Sequence, residues 1–150
     1  MTDIEMGGIY RVVAMACGIP SVLALVTDFD EVTQSVTVIL LSPDIEFGSS
    51  ADLLLSSDET GRAYNLLAES DIFGYAWVVQ VDRYVGRVGP QVMKVLAVLR
   101  EGGATTGRLV APPVVVPDDP RWNFKMRELK RLQAITADCT RELIEMQKWG

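Results

Sequence analysis

Residues 8–88 carry short runs of β-branched, aliphatic and aromatic residues, and these runs are separated by Gly, Pro and acidic residues. Such a pattern is typical of β-strands joined by turns. It predicts strands over residues 8–17, 22–27, 33–42, 51–57, 64–70 and 81–88, with an acidic turn at 28–31. Residues 72–81 fit either a short helical turn or a bulged strand, because Gly74 lies among aromatic residues and valines. Short strands at this spacing favour a small barrel.

A short helix is predicted directly after the last strand. Pro90 occupies a position suited to the first turn of a helix. The apolar side chains that follow at helical spacing are Val92, Met93, Leu96 and Leu99. Gly102 and Gly103 then supply a stop. We expect this helix to cap one end of the barrel.

A second, long helix is predicted at the C-terminus, with Asp119 as its cap and Pro120 in its first turn. Its apolar stripe comprises Trp122, Met126, Leu129, Leu132, Thr136, Cys139, Leu143 and Met146. Thirty residues of helix would be about 45 Å long, whereas a small domain is about 30 Å across. We therefore expect part of the stripe to overhang the barrel, where a second copy or another protein would cover it.

The domain organisation follows from these elements. Residues 1–101 form the predicted barrel domain and residues 119–150 the C-terminal helix. Residues 102–118 are rich in Pro and Gly and predict an extended connection with an edge strand in the Val114–Val116 run.

Length and composition are those of one domain with one core, since the chain has 150 residues, 49% of them hydrophobic. Histidine is absent, which removes the commonest neutral-pH acid–base group and the usual zinc ligand. Cys17 and Cys139 lack a metal-binding spacing and are expected to be free thiols. With no Gly-rich phosphate loop either, we expect no metal and no cofactor. The acidic N-terminal segment lacks an apolar run, so we expect a cytoplasmic protein without a membrane segment.

Two motifs carry a family resemblance: the turn Glu59-Thr60-Gly61 and the finish Gly86-Arg87-Val88-Gly89-Pro90. With a Gly-led first strand and a Pro-led second strand, residues 7–101 resemble the MazF/PemK toxin barrel, which is related to CcdB. The resemblance implies a mainly β, SH3-like barrel and a homodimer. It also implies an antitoxin as protein partner and a metal-independent endoribonuclease activity.

The resemblance also points to two site positions. RNA-cutting members have an Arg just before the proline of the second strand and a Thr or Ser at the end of the third strand. Attack of a ribose 2′-hydroxyl on phosphate needs proton removal and a cation that stabilises the transition state, and Arg fills this role well. Here Pro20 and Ser42 match, but the Arg position is Ile19. This departure predicts that conventional RNA cleavage is lost. Ser42 also fits a turn residue, because Pro43 follows it.

Charge supports the same expectation for nucleic acids. The chain has a formal net charge of −6, so RNA is disfavoured except at a local basic site. The basic residues at the start of the C-terminal helix are Arg121, Lys125, Arg127, Lys130 and Arg131. They predict a binding surface for something acidic. Its source is either the chain's own barrel, in the same or a partner subunit, or an external acidic protein or nucleic acid.

The C-terminal helix also carries tryptophans at its two ends. Trp122 and Trp149 are candidate binding residues, and the terminal Trp149-Gly150 resembles part of the Trp-Gly-Ile tail of CcdB-type proteins, which implies contact with DNA gyrase. A tryptophan at a helix end equally fits a packing residue.

The sequence therefore leads to three functional hypotheses. We expect a diverged MazF/PemK-type protein that acts by protein binding, without conventional RNA cleavage. The alternative is an active endoribonuclease toxin that uses Ser42. The third is a structural or regulatory subunit whose helix docks on a larger assembly.

Overall fold

The computed structural model describes residues 4–47, 52–100 and 119–149, apart from the side chains of Glu59 and Trp149. The strands are β1 (Gly8–Val12), β2 (Val22–Asp30), β3 (Ser35–Ser42), β4 (Asp52–Leu55), β5 (Leu66–Trp77) and β6 (Val81–Arg87). They form one antiparallel sheet of six strands in the order β4-β5-β3-β2-β1-β6. The helices are α1 (Ser57–Thr60), α2 (Pro90–Arg100) and α3 (Pro120–Trp149).

The structure confirms a mainly β fold with a short helix after the last strand and a long C-terminal helix. The C-terminal limits of β1 and β2 differ from prediction. Strand β1 ends at Val12 rather than at residue 17, and β2 runs on to Asp30 through most of the predicted acidic turn. The turn covers residues 31–34, and Asp30 Oδ1 accepts a 2.9 Å hydrogen bond from the Val32 N–H.

The undecided stretch 72–81 contains both structures that its pattern allowed. Strand β5 continues to Trp77, and a 3₁₀ turn follows at Val78–Gln80. The register against β3 shifts between Leu40, which pairs with Glu69, and Ile39, which pairs with Phe73. A shift of this kind is a bulge, and it bends the strand.

The sheet is covered on both faces, which explains the continuous apolar run in β3. Residues that alternate along a strand point to opposite faces. One core cluster contains Leu40 together with Leu132 of α3. The other contains Leu41 together with Leu96 of α2. The C-terminal helix is therefore part of the core.

The two motifs behind the family resemblance contact each other. The predicted turn Glu59-Thr60-Gly61 comprises the end of the single helical turn α1 and the following Gly61, whose φ of +75° suits glycine. A Cβ atom at Gly86 would come within 2.7 Å of the Thr60 carbonyl oxygen. Glycine at position 86 thus lets β6 approach α1.

Helix α3 begins as predicted, but its first turns bury a different face. Asp119 Oδ1 accepts a 2.9 Å hydrogen bond from the Arg121 N–H. The members of the predicted stripe that are buried or half-buried are Leu129, Leu132, Thr136, Cys139 and Leu143. The exposed members are Trp122, Met126 and Met146. The first turns bury Phe124, Lys125 and Glu128 instead, so the prediction of one continuous stripe was wrong.

The end of α3 still borders the sheet, because Leu143 and Gln147 line a cavity of about 830 Å³ together with residues of β2 and β3. An overhang beyond the barrel therefore stays a prediction. Beyond Cys139, no described side chain of α3 is fully buried, and Ile144 and Met146 are exposed. No described helix is both long enough and apolar enough to span a membrane. The predicted connection at 102–118 lies outside the described residues.

Candidate functional site

The candidate site lies where the β1–β2 loop, the end of β3 and the first half of α3 meet. A cavity of about 530 Å³ opens between them. Its lining comprises Ile19, Pro20, Asp44, Phe124, Arg127, Glu128, Lys130, Arg131 and Ala134. One cavity therefore brings together Ile19, the position where the resemblance predicts an arginine, and three of the predicted binding cations.

Ser42, the candidate catalytic hydroxyl, is fully buried and does not line this cavity. Its Oγ accepts a 3.1 Å hydrogen bond from the Asp44 N–H. This is the local bond of a turn-forming serine, and it keeps the hydroxyl directed at the backbone. The position at the end of β3 was predicted correctly, and the geometry is that of the turn residue.

Ile19 is half-buried and packs against the core cluster that contains Leu132. Its side chain forms an apolar wall where the family places a guanidinium. An apolar group offers no donor to a phosphorane oxygen. The β1–β2 loop therefore supplies packing at this site.

The five predicted cations have three different positions. Arg121 pairs with the adjacent cap Asp119, at 2.7 Å. Lys125 points into the protein. The cavity-lining cations are Arg127, Lys130 and Arg131. Of these, Arg131 pairs with Glu128 at 2.6 Å, and no described carboxylate pairs with the other two. The free positive charge of this surface is therefore carried by Arg127 and Lys130.

Lys125 corrects the prediction that all five cations form an outer binding surface. Its Nζ contacts Asp52 Oδ1, lies 2.8 Å from Asp71 Oδ1, and lies 3.3 Å from Glu69 Oε1. These carboxylates belong to β4 and β5, so the chain's own barrel is the acidic group opposite this cation. Sequence reasoning missed the cluster because its carboxylates lie 54 to 73 residues from Lys125 along the chain, and only folding brings them together.

The protonation states in this cluster follow from burial and charge. Burial raises the pKa of Glu69 from 4.5 to about 9, and the charges of Glu128 and Asp52 act in the same direction while Lys125 opposes them. Neither carboxyl oxygen of Glu69 has a hydrogen-bond partner among the described residues, which agrees with a neutral carboxyl group. Burial by itself lowers the pKa of Lys125. The negative charges of Asp52, Glu69 and Asp71 outweigh the effect of burial, so the pKa of Lys125 lies above its ordinary value.

An aromatic contact fixes α3 on the same loop. Phe124 stacks on Phe47, with ring centroids 4.9 Å apart and ring planes 12° apart. Phe47 belongs to the 3₁₀ turn Ile45–Phe47 just after Ser42. Together with the Lys125 cluster, this stack places the first half of α3 over the end of β3.

The two candidate tryptophans lie at opposite ends of α3. Trp122 is 40% exposed on α3. The side chain of Trp149 lies outside the described residues, so the CcdB-like tail stays a prediction. Within the described parts of the chain, no group of three or more Cys, Asp and Glu side chains is arranged to hold a metal ion.

Comparison with solved structures identifies the architecture. An endoribonuclease from a mycobacterial species, solved in complex with its cognate antitoxin, has a TM-score of 0.51 at 14% identity, over 70% of this chain and 99% of that chain. The Mycobacterium tuberculosis toxin MazF-mt6 has a TM-score of 0.52 at 15% identity, over 63% of this chain and 93% of that chain. The fold is MazF-like.

Among the comparisons with known proteins, the structural one alone gives a match. No family model matches the sequence, and no curated protein gives a significant match. The matches cover nearly all of the toxin chains but at most 70% of this one. This chain therefore has additional residues beyond the part that it shares with them.

Proposed function

We propose that this protein is a diverged member of the MazF-like toxin–antitoxin fold that acts by binding another protein, without conventional RNA cleavage. The observation that carries the proposal is the pair of family site positions. Ser42 is buried with its Oγ bonded to the Asp44 N–H, and Ile19 stands where a cation is needed. A fold that keeps its shape but lacks the charge for transition-state stabilisation is suited to recognition.

Helix α3 is the proposed binding element. It covers the end of β3, presents Arg127 and Lys130 without described ion-pair partners, and carries exposed apolar side chains near its C-terminal end. Exposed apolar groups next to free charges are typical of protein interaction sites. The partner would be an antitoxin or a subunit of a larger assembly, and in the second case this chain is a structural or regulatory component. We also propose a homodimer, on the family resemblance.

The alternative is an active endoribonuclease, and one observation favours it. Arg127, Lys130 and Arg131 line a cavity beside Pro20, and cations there could bind phosphate groups. The same cavity also contains the carboxyl groups of Asp44 and Glu128, which repel phosphates. The hydroxyl of Ser42 stays outside it.

The test is incubation of the purified protein with a mixed pool of single-stranded RNA, with and without Mg²⁺. We expect intact RNA, and no growth arrest when the protein is expressed in a bacterial host. An active MazF toxin in a parallel reaction shows that the pool can be cut. Cleavage at defined sites that disappears in Ser42→Ala or in Arg127→Ala would overturn the proposal in favour of the endoribonuclease.

A further inference from the structure

Helix α3 has a second uncharged face beside the face that packs on the sheet, and Leu129 belongs to both. We call it the side stripe, and it comprises Trp122, Met126, Leu129, Gln133, Ala137, Thr140, Ile144 and Gln147. Consecutive members are three or four positions apart, the spacing by which one helix packs along another. All charged residues of α3 lie off this stripe. A row of uncharged residues at this spacing provides a face on which another helix can pack.

The side stripe is open to solvent at both ends. Trp122 and Met126 are each 40% exposed, and Ile144 is 50% exposed. Its second half borders a groove of about 460 Å³ against β5. The floor of that groove includes Phe73, itself 47% exposed, and Gly74. The stripe and the groove together form a continuous, largely apolar surface.

One edge of the side stripe is basic. Lys130, Arg141 and Lys148 each follow a stripe residue by four positions and therefore lie along the same edge. Asp138 pairs with Arg141 at 2.9 Å, and Glu145 pairs with Lys148 at 3.0 Å. Lys130 has no described ion-pair partner, so the edge keeps a net positive charge.

We propose that the side stripe and its groove bind an amphipathic helix of another protein whose apolar face is bordered by acidic residues. The three- and four-residue spacing selects a helix as the occupant, because its side chains repeat at the same interval. The basic edge selects acidic borders. This assignment rests on the proposed protein-binding function and names the chemistry of the partner.

A second copy of the chain fits this surface less well. It would bring the same basic edge, so Lys130 and Arg141 would meet like charges in a symmetric pair. Each copy also has a formal net charge of −6, which opposes self-association at long range. Acidic borders on a different protein would pair with the basic edge and so remove the first of these penalties.

The test uses two synthetic helical peptides of equal length that share a heptad pattern of Leu and Ile. One carries Glu at the positions that flank the apolar face, and the other carries Lys there. Fluorescence anisotropy of the labelled peptides measures binding to the full-length protein. We expect the Glu peptide to bind about tenfold more tightly than the Lys peptide, and the difference to shrink as salt is raised.

A matched pair of variants locates the binding surface. Ala137 and Ala134 are both exposed on α3, but Ala137 lies in the side stripe groove and Ala134 in the cavity beside Ile19. Ala137→Glu should weaken binding of the Glu peptide about tenfold, and Ala134→Gln, which adds bulk without a charge beside Lys130, should change it less than about twofold. Circular dichroism of both variants checks that the fold is kept. Equal effects of the two variants, or preference for the Lys peptide, would overturn the assignment.

Sedimentation of the same variants tests the other occupant. If the wild type is a dimer and Ala137→Glu is a monomer, the side stripe is the interface with a second copy, and the proposal is overturned. A mass unchanged by Ala137→Glu supports it. The peptide result and the RNA result are independent: RNA cleavage would contradict the proposed function, whereas failed peptide binding with intact RNA would contradict only the partner's chemistry.

Discussion

Thr136 of α3 lies directly against Gly74 of β5. A Cβ atom added at Gly74 would come within 2.7 Å of Thr136 Oγ1, which is closer than real Cβ contacts. The absence of a side chain at Gly74 therefore allows the helix to approach the sheet. The same contact brings Leu132 and Ile135 into the core cluster on this face.

A first prediction concerns this contact. Gly74→Ala should lower the free energy of unfolding by about 1–3 kcal/mol, because the added methyl group overpacks the interface between α3 and β5. Urea denaturation measures the loss. Gly89→Ala is the matched control, since nothing lies within 4 Å of a Cβ atom at that position. Combining Gly74→Ala with Thr136→Ala should restore part of the stability, and purely additive losses would show that the two residues do not compete for space.

A second prediction concerns the buried lysine. Lys125→Met should cost about 3 kcal/mol or more, because it leaves Asp52 buried without its cation. Lys130→Met removes the same charge from an exposed position of the same helix and should change stability by about 0.5 kcal/mol or less. Urea denaturation at neutral pH distinguishes the two variants. Similar losses for both would mean that the Lys125 cluster does not hold α3 on the sheet.

A third prediction follows from the raised pKa of Glu69. In the unfolded chain this carboxyl group is ionised above about pH 5, whereas folding raises its pKa to about 9. The folded state therefore binds one more proton between these values. The stabilising contribution of this proton is complete below the unfolded pKa, and the free energy of unfolding falls as pH rises to 9, by at most about 1.4 kcal/mol per pH unit.

Glu69→Gln should flatten this pH dependence, since glutamine does not titrate. The chain has no histidine, so the interval from pH 5 to pH 8 contains no imidazole titration that would obscure the effect. Denaturation curves of both proteins across this interval provide the comparison. Parallel slopes would show that Glu69 is ionised in the folded protein.

A fourth prediction separates the two roles considered for Ser42. Ser42→Ala should lower the free energy of unfolding by about 1 kcal/mol, because the Asp44 N–H loses its acceptor. It should leave peptide binding at the side stripe unchanged. A variant with unaltered stability that loses an RNA-cutting activity of the wild type would instead identify Ser42 as a catalytic residue.

Features that depend on a few neighbouring residues were predicted well. Pro90 begins α2, Asp119 caps α3, and the β-branched run before Ser42 forms β3. Proline, capping groups and β-branched side chains act on backbone torsions over a single turn or strand. The family resemblance added the MazF-like arrangement of these elements, which structural comparison confirms.

Features that depend on distant residues were predicted less well. The buried face of α3 was predicted wrongly in the first turns, where Phe124 and Lys125 are buried and Trp122 is exposed. A prediction based on hydrophobicity alone does not identify a buried lysine, because the carboxylates that stabilise Lys125 lie on β4 and β5. The bulge in β5 likewise requires knowledge of its partner β3.

The sequence by itself determined the strand and helix content, the cap of α3 and the presence of an apolar residue, Ile19, where the resemblance predicts an arginine, since each follows from the residue at one position and its near neighbours. Only the tertiary structure decided that Ser42 is buried, that Lys125 points inward and that the side stripe is left open. Burial and pairing are properties of several chain segments brought together, and no local pattern encodes which face of a helix the sheet will cover.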